Sequence, residues 1–251
     1  MSEERPPGVV PLIETVERLW PDASEVSLVG ERRASSTPGS ASWELLAVPN
    51  AAHPRVLLPV GGRAAGAAMQ RFSAAVSARE VLERQGLGAG LALGGTRLVR
   101  DRIRVIEPGD DHIVAVLAEV MGEPVTVSLG IGTARANRKP VLGVFDRAGH
   151  ALGFAKIGDS AVAAGHVRGE ARALALVGER EWDRVEPPQL LAHRTWRGME
   201  VLVMSALRAR PWRGRGSWPI PDVAADEVAA AFDEGRRALV DTPMWQRCVQ
   251  D

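Results

Sequence analysis

Apolar and polar positions alternate along this chain with two different periods, and the switches between them mark its elements. Val9 to Trp20 (VVPLIETVERLW) carries apolar residues at helical spacing and stops at Pro21-Asp22, which predicts a short amphipathic helix. Beyond a Gly/Ser/Pro-rich loop over Ser35 to Ser42, the β-like runs Trp43 to Val48 and Arg55 to Val60 flank a turn at Asn50 to Pro54 and predict an antiparallel pair. The Ala-rich stretch from Gly62 to Gln85 reads as one helix, stopped by Gly86, Gly88 and Gly90. Arg100 to Ile106 then reads as a strand. Asp110 to Met121 reads as a helix whose acidic start suits the helix dipole.

From residue 121 the rhythm changes. Val125 to Leu129, Pro140 to Asp146 and His150 to Ile157 are three strand-like runs, the last two joined by the short turn Arg147-Ala148-Gly149. A helix follows from Ser160 to Val177, and Leu190 to Trp196 and Met199 to Leu207 form a second hairpin about Arg197-Gly198. Over Val125 to Leu207 the order is therefore three strands, a helix and two strands, an antiparallel five-stranded sheet with one helix. Arg208 to Pro221, rich in Arg, Gly, Pro and Trp, reads as a linker, and Val223 to Val240 and Met244 to Val249 read as helices. The fold class is α+β, with an N-terminal α/β region over 1–120, a lobe over 121–207, and a linker with C-terminal helices over 208–251.

Composition narrows the function classes. The 251 residues include 31 basic and 31 acidic side chains, so no net charge draws the chain to nucleic acid or an anionic membrane, and neither is expected as a partner. The single cysteine, Cys248, excludes an intrachain disulfide and a cysteine-based zinc site. The start MSEERPPG has no apolar segment behind a basic end, and no apolar run reaches the ~18–20 residues of a membrane span, so a cytoplasmic location is expected. Tyrosine is absent, and all the basic residues are arginine except Lys139 and Lys156. Against that background either lysine is a candidate for a task arginine does not perform.

Lys156 ends the third strand of the lobe in the phrase Leu152-Gly153-Phe154-Ala155-Lys156. Glu170 follows fourteen residues later, on a helical stripe with Ala163, Val167, Leu174 and Val177, so a carboxylate stands among apolar positions and needs a cation. Each residue alone also reads as a solvated or structural charge. Gly130-Ile131-Gly132-Thr133 lies between the first two strands, where backbone amides face a phosphate in glycine loops, but Arg135 stands where a third glycine would complete G-x-G-x-x-G. A plain turn explains those glycines equally well.

With SLGIGTARANRKPVLGVFDRAGHALGFAKIGDS as its most specific phrase, the chain resembles the small lobe of the aminoglycoside-phosphotransferase-like, or protein-kinase-like, superfamily of actinobacterial type. The resemblance implies that Lys156 meets the α- and β-phosphates of ATP in the way of the V-A-I-K strand, with Glu170 as its partner. It further implies that Gly130 and Gly132 cover the phosphates, and that Ser205-Ala206-Leu207 is the hinge backbone that contacts adenine through Ser205 and Leu207. A hydrophobic strand ending at a linker accounts for those three residues as well.

The reacting half of such a catalyst is not apparent. The 44 residues after Leu207 hold no His and no Asn, and no His-Gly-Asp motif occurs. Their acids, Asp222, Asp226, Glu227, Asp233, Glu234, Asp241 and Asp251, read as caps, first-turn charges and solvated faces. Mg²⁺ is therefore not expected to bind without a large lobe, and no catalytic residue is assigned. The expectation is a truncated or split phosphotransferase-like protein with weak ATP binding, completed by a separately encoded large lobe or by self-association; the alternative is a pseudokinase-like scaffold or interaction module.

Trp212, Trp218, Phe232 and Trp245 are the apolar side chains such a partner would cover. Other chemistry fails: the five histidines have no metal-ligand spacing, Asp110-Asp111-His112 reads as a helix start, and no G-x-S-x-G elbow occurs. The Arg/Trp tract from Arg208 to Trp218 reads as a linker or an acidic-partner contact rather than a single-strand nucleic-acid surface.

Overall fold

A computed structural model describes residues 10–29, 41–71, 78–130, 140–207 and 222–231. The chain divides into two compact units, one of Met1–Ala175 and Pro188–Ala206, the other of Leu176–Pro187 and Leu207–Asp251.

The first unit is built on one antiparallel sheet of nine strands: β1 (Glu25–Val29), β2 (Ser42–Val48), β3 (Val56–Pro59), β4 (Arg102–Ile106), β5 (Thr126–Gly130), β6 (Val141–Phe145), β7 (Ala151–Gly158), β8 (Leu190–Trp196) and β9 (Met199–Ser205). Its order is β1-β4-β2-β3-β5-β6-β7-β9-β8. The α+β class holds, but the expected five-stranded sheet is part of a larger one. The cause is one junction, where Val56 and Leu57 of β3 pair with Gly130 and Leu129 of β5. The last two residues of β5 are thereby paired rather than left at an open edge, and residues on both sides of position 120 share a sheet.

Helices cover both faces. On one face α1 (Val10–Leu19) and α4 (Ile113–Met121) bury a core that runs the length of the sheet, from Leu45, Ile103 and Val105 through Val127, Leu129 and Val144 to Ala155, Ile157, Val201 and Val203. His112 caps α4, its ring Nδ1 accepting the Ala115 amide at 3.1 Å. On the opposite face α2 (Gly62–Arg71) lays Ala64, Ala65 and Ala68 on Leu46, Val56, Leu58 and Phe145. There α5 (Ala161–Gly178) lays Val167 and Ala171 on Leu202 and Met204. Strand alternation sends neighbouring residues to these two cores, so one run feeds both.

Two expectations for the N-terminal half are corrected. The glycines at 86, 88 and 90 do not stop a helix: α3 (Ala78–Ala92) runs through them. A Cβ on Gly88 would stand 2.9 Å from the Gly66 carbonyl oxygen, and one on Gly66 2.5 Å from that of Gly88, so these glycines let α2 and α3 approach at backbone distance. In addition β1, which no sequence signal marked, pairs along its whole length with β4.

In the second unit α6 (Asp222–Ala231) supplies Glu227, whose carboxylate accepts the backbone amides of Asp183, Arg184 and Val185. Those bonds hold its pKa below the ordinary glutamate value, against the opposing effect of desolvation. The reading of Glu227 as a merely solvated charge is thus corrected. The linker over 208–221, the tryptophans at 212, 218 and 245, Phe232 and the helix expected over 244–249 lie outside the described residues.

Candidate functional site

Lys156 stands in the middle of β7, in register with Val141 of β6 and Leu202 of β9. Strand alternation puts it on the face of Phe154, Leu202 and Met204, the face that receives α5. Glu170 lies on α5 three residues beyond the buried Val167, and the Lys156 ammonium donates to its Oε1. The two side chains are 28% and 31% exposed, so the pair sits at the rim of a packed surface. Deep burial would have made it costly, and full exposure would have left it worth little.

A second carboxylate holds the same helix. Glu200 of β9 accepts from Arg168 Nη1 of α5 at 3.0 Å and lies 2.9 Å from His193 Nε2 of β8. The Arg168 hydrogen bond, with a further contribution from His193, keeps Glu200 below the usual carboxylate range although desolvation pulls the other way. Two ion pairs, to β7 and to β9, therefore fix α5 on the sheet and fix the direction in which Lys156 points.

The other expected site residues are placed as follows. Gly130 ends β5 on the same face, while Gly132 and the rest of 131–139 lie outside the described residues. Ser205 ends β9 with its amide already given to the Gln189 carbonyl at 2.9 Å, and its hydroxyl oxygen accepts the Gln189 amide at 2.9 Å. The Ala206 amide goes to the Leu152 carbonyl at 3.2 Å. These two amides are spent within the sheet. Leu207 follows, with its side chain exposed.

Beside α2 the sheet face carries a cavity of about 50 Å³. Ser128 and Gly130 of β5, Val141, Gly143 and Phe145 of β6, Phe154 of β7, and Ala68 and Arg71 of α2 line it. Gly143 leaves the space: a Cβ there would meet Ser128 Oγ at 2.7 Å and the Phe145 ring at 3.0 Å. Ser128, Gly143 and Arg71 escaped sequence reasoning. The signal that points to two of them is parity, since Ser128 and Gly143 are directly paired across β5 and β6 where the neighbouring positions are apolar.

Among the described residues no group of three His, Cys, Asp or Glu is placed to hold a metal ion, and no helix is long and apolar enough to cross a membrane. No family model, curated protein or solved structure matches the chain.

Proposed function

We propose that β5, β6, β7, α5, β8 and β9 form a kinase-like small lobe, and that Lys156, held forward by Glu170, contacts the phosphates of a nucleotide such as ATP. The observation that carries this reading is the Lys156–Glu170 ion pair, joining a strand and the helix that follows it. The strand order β5-β6-β7-β9-β8, with α5 between β7 and β8 in sequence, supports it. The chemistry assigned to these residues is binding and orientation. Glu170 fixes an ammonium that serves as a point charge for phosphate oxygens.

No side chain described here is assigned to take an acceptor's proton or to hold Mg²⁺; those groups would come from a partner carrying a large lobe, or from a second copy. Thermal melting and calorimetry with ATP test the reading. The intact chain should be stabilised by ATP, with little added by Mg²⁺, and Lys156→Met should abolish the stabilisation while leaving the unliganded melt nearly unchanged.

A second reading, a scaffold that uses this fold without nucleotide, has its own support. The cavity is far smaller than the ~300–1,000 Å³ of small-molecule sites, and the Ser205 and Ala206 amides are spent in the sheet. Failure of millimolar ATP to shift the melting of either protein would favour it.

A further inference from the structure

We propose that α3 is a self-association face, on which a second copy of this chain packs its own α3 antiparallel about a two-fold axis. Leu82, Leu87 and Leu93 are 70%, 57% and 90% exposed. Leu98 is 84% exposed and ends the short turn Gly95–Leu98, which folds back on the Gly90 carbonyl of α3. None of the four belongs to a core of the sheet. A single exposed leucine is ordinary, but four within one helix and the turn that follows it form a patch of the kind that partners cover.

The order of side chains along the helix identifies the partner as a second copy. Leu82, Gly86, Ala89 and Leu93 follow at spacings of four, three and four residues, which holds them in one line. The Leu93 amide bonds the Ala89 carbonyl at 3.0 Å, so the line continues past Ala92. All four are exposed and none is charged, as the centre of an interface requires. Large, small, small, large reads the same in both directions. An antiparallel copy therefore sets Leu82 beside the partner's Leu93 and small residues against small ones, the self-complementarity of an isologous contact. Gly86 has no task inside its own chain. Gly88 serves the contact with α2, whereas a Cβ on Gly86 would meet nothing within 4 Å. Glycine weakens a helix relative to alanine, and the close approach of a second helix at mid-stripe accounts for it. The four leucines expose on the order of 500 Å² of apolar surface, so a two-fold contact hides on the order of 1,000 Å², the lower end of specific interfaces. Neither Lys156 nor Glu170 takes part, and the face is independent of the nucleotide reading.

The test is sedimentation velocity on the full 251-residue chain over about 1–200 µM. A reversible equilibrium between monomer and dimer should appear, with a Kd in the micromolar range that suits a contact of this size. Leu93→Glu should raise the Kd by about tenfold or more, because it sets a charge among leucines. Its Tm at dilutions where the parent is monomeric should stay within about 2 °C of the parent's, because residue 93 is exposed in the single chain. Gly86→Leu should raise the Kd by a similar factor, since its side chain stands between two helices, without lowering that Tm, since the space over residue 86 is open and leucine is the better helix former. Val162→Glu, the same kind of change at an exposed position of α5, should leave the Kd within about twofold.

Dimers lost in Leu93→Glu and Gly86→Leu and kept in Val162→Glu uphold the α3 face. A chain that stays monomeric over the whole range overturns it, as do dimers that both α3 variants retain, dimers that Val162→Glu disperses, and an open series of larger species in place of a closed pair. Loss in Leu93→Glu with full retention in Gly86→Leu overturns it as well, because the leucines then meet without the two helices drawing close. A dilute Leu93→Glu whose Tm falls well beyond that margin shows residue 93 already packed within its own chain and overturns the proposal too.

Discussion

At the scale of single residues, the absence of a side chain at 143 shapes the sheet face as much as any charge. Gly143 faces Ser128 across β5 and β6, and a methyl group there meets both the Ser128 oxygen at 2.7 Å and the Phe145 ring at 3.0 Å. Neither can retreat easily, since Phe145 is packed under α2. Gly143→Ala should therefore destabilise the protein by about 1–3 kcal/mol, the usual penalty of overpacking, read as a lowered urea midpoint with an unchanged slope.

His112 makes the opposite kind of contribution, through an atom that must stay bare. Its Nδ1 accepts the Ala115 amide only while unprotonated, and burial holds its pKa below the usual 6.5, with Asp110 and Asp111 pulling upward. A histidine depressed in the folded state stabilises fully above the unfolded value, and the contribution fades as pH falls through the folded one. Acidification below about pH 6.5 should thus lower stability, and His112→Asn, which keeps a capping oxygen, should remove that pH dependence in melts between pH 5 and 8.

At the scale of elements, charge clamps decide which strands stay together on the faces the cores leave open. Glu44 of β2 accepts from Arg102 Nη1 at 3.0 Å and from Arg104 Nη2 at 2.7 Å, tying β2 to β4. Burial raises its pKa, yet the bonds from Arg104 and Arg102 outweigh that and hold it below the ordinary 4.5. The clamp is complete above pH 4.5 and is lost as pH falls through the depressed value. Glu44→Gln should cost about 1–3 kcal/mol at pH 7 and less in acid, which denaturant titrations at pH 7 and pH 3.5 would resolve.

The same scale shows what could be read in advance. The five strands from Thr126 to Ser205 and the helix between them were legible because each run alternates and each hairpin carries its turn residue. The pair formed by Lys156 and Glu170 was legible because a carboxylate on an apolar helical stripe needs a cation. The glycines of α3 misled because local propensity favours a stop there, whereas the close approach of Gly66 and Gly88 is a tertiary fact. Ser128 and Arg71 come together across 57 residues of chain, and no local pattern announces that meeting.

At the scale of the first unit, the strands of the lobe are not self-sufficient. The face opposite Lys156 is buried by α1 and α4, elements from residues before 122: Val114, Val116 and Leu117 share a core with Val201, Val203 and Met199. Polar contacts repeat the dependence. Arg194 of β8 donates to the Val116 carbonyl at 2.6 Å, Trp196 Nε1 to Asp111 at 2.6 Å, and Arg197 to both Asp111 and Asp22 at 2.8 Å. The β3–β5 junction adds backbone pairing at the other side of the lobe.

A fragment of residues 121–207 would therefore expose Val127, Leu129, Val144, Ile157, Val201 and Val203 on one face and an unpaired β5 at its edge, the combination that promotes aggregation. Expressed alone, that fragment should be insoluble or unfolded by circular dichroism. Addition of residues 10–120 on a second chain should restore a sharp thermal transition, whereas a fragment that melts cooperatively without them would show that the nine-stranded sheet is two folding units laid side by side.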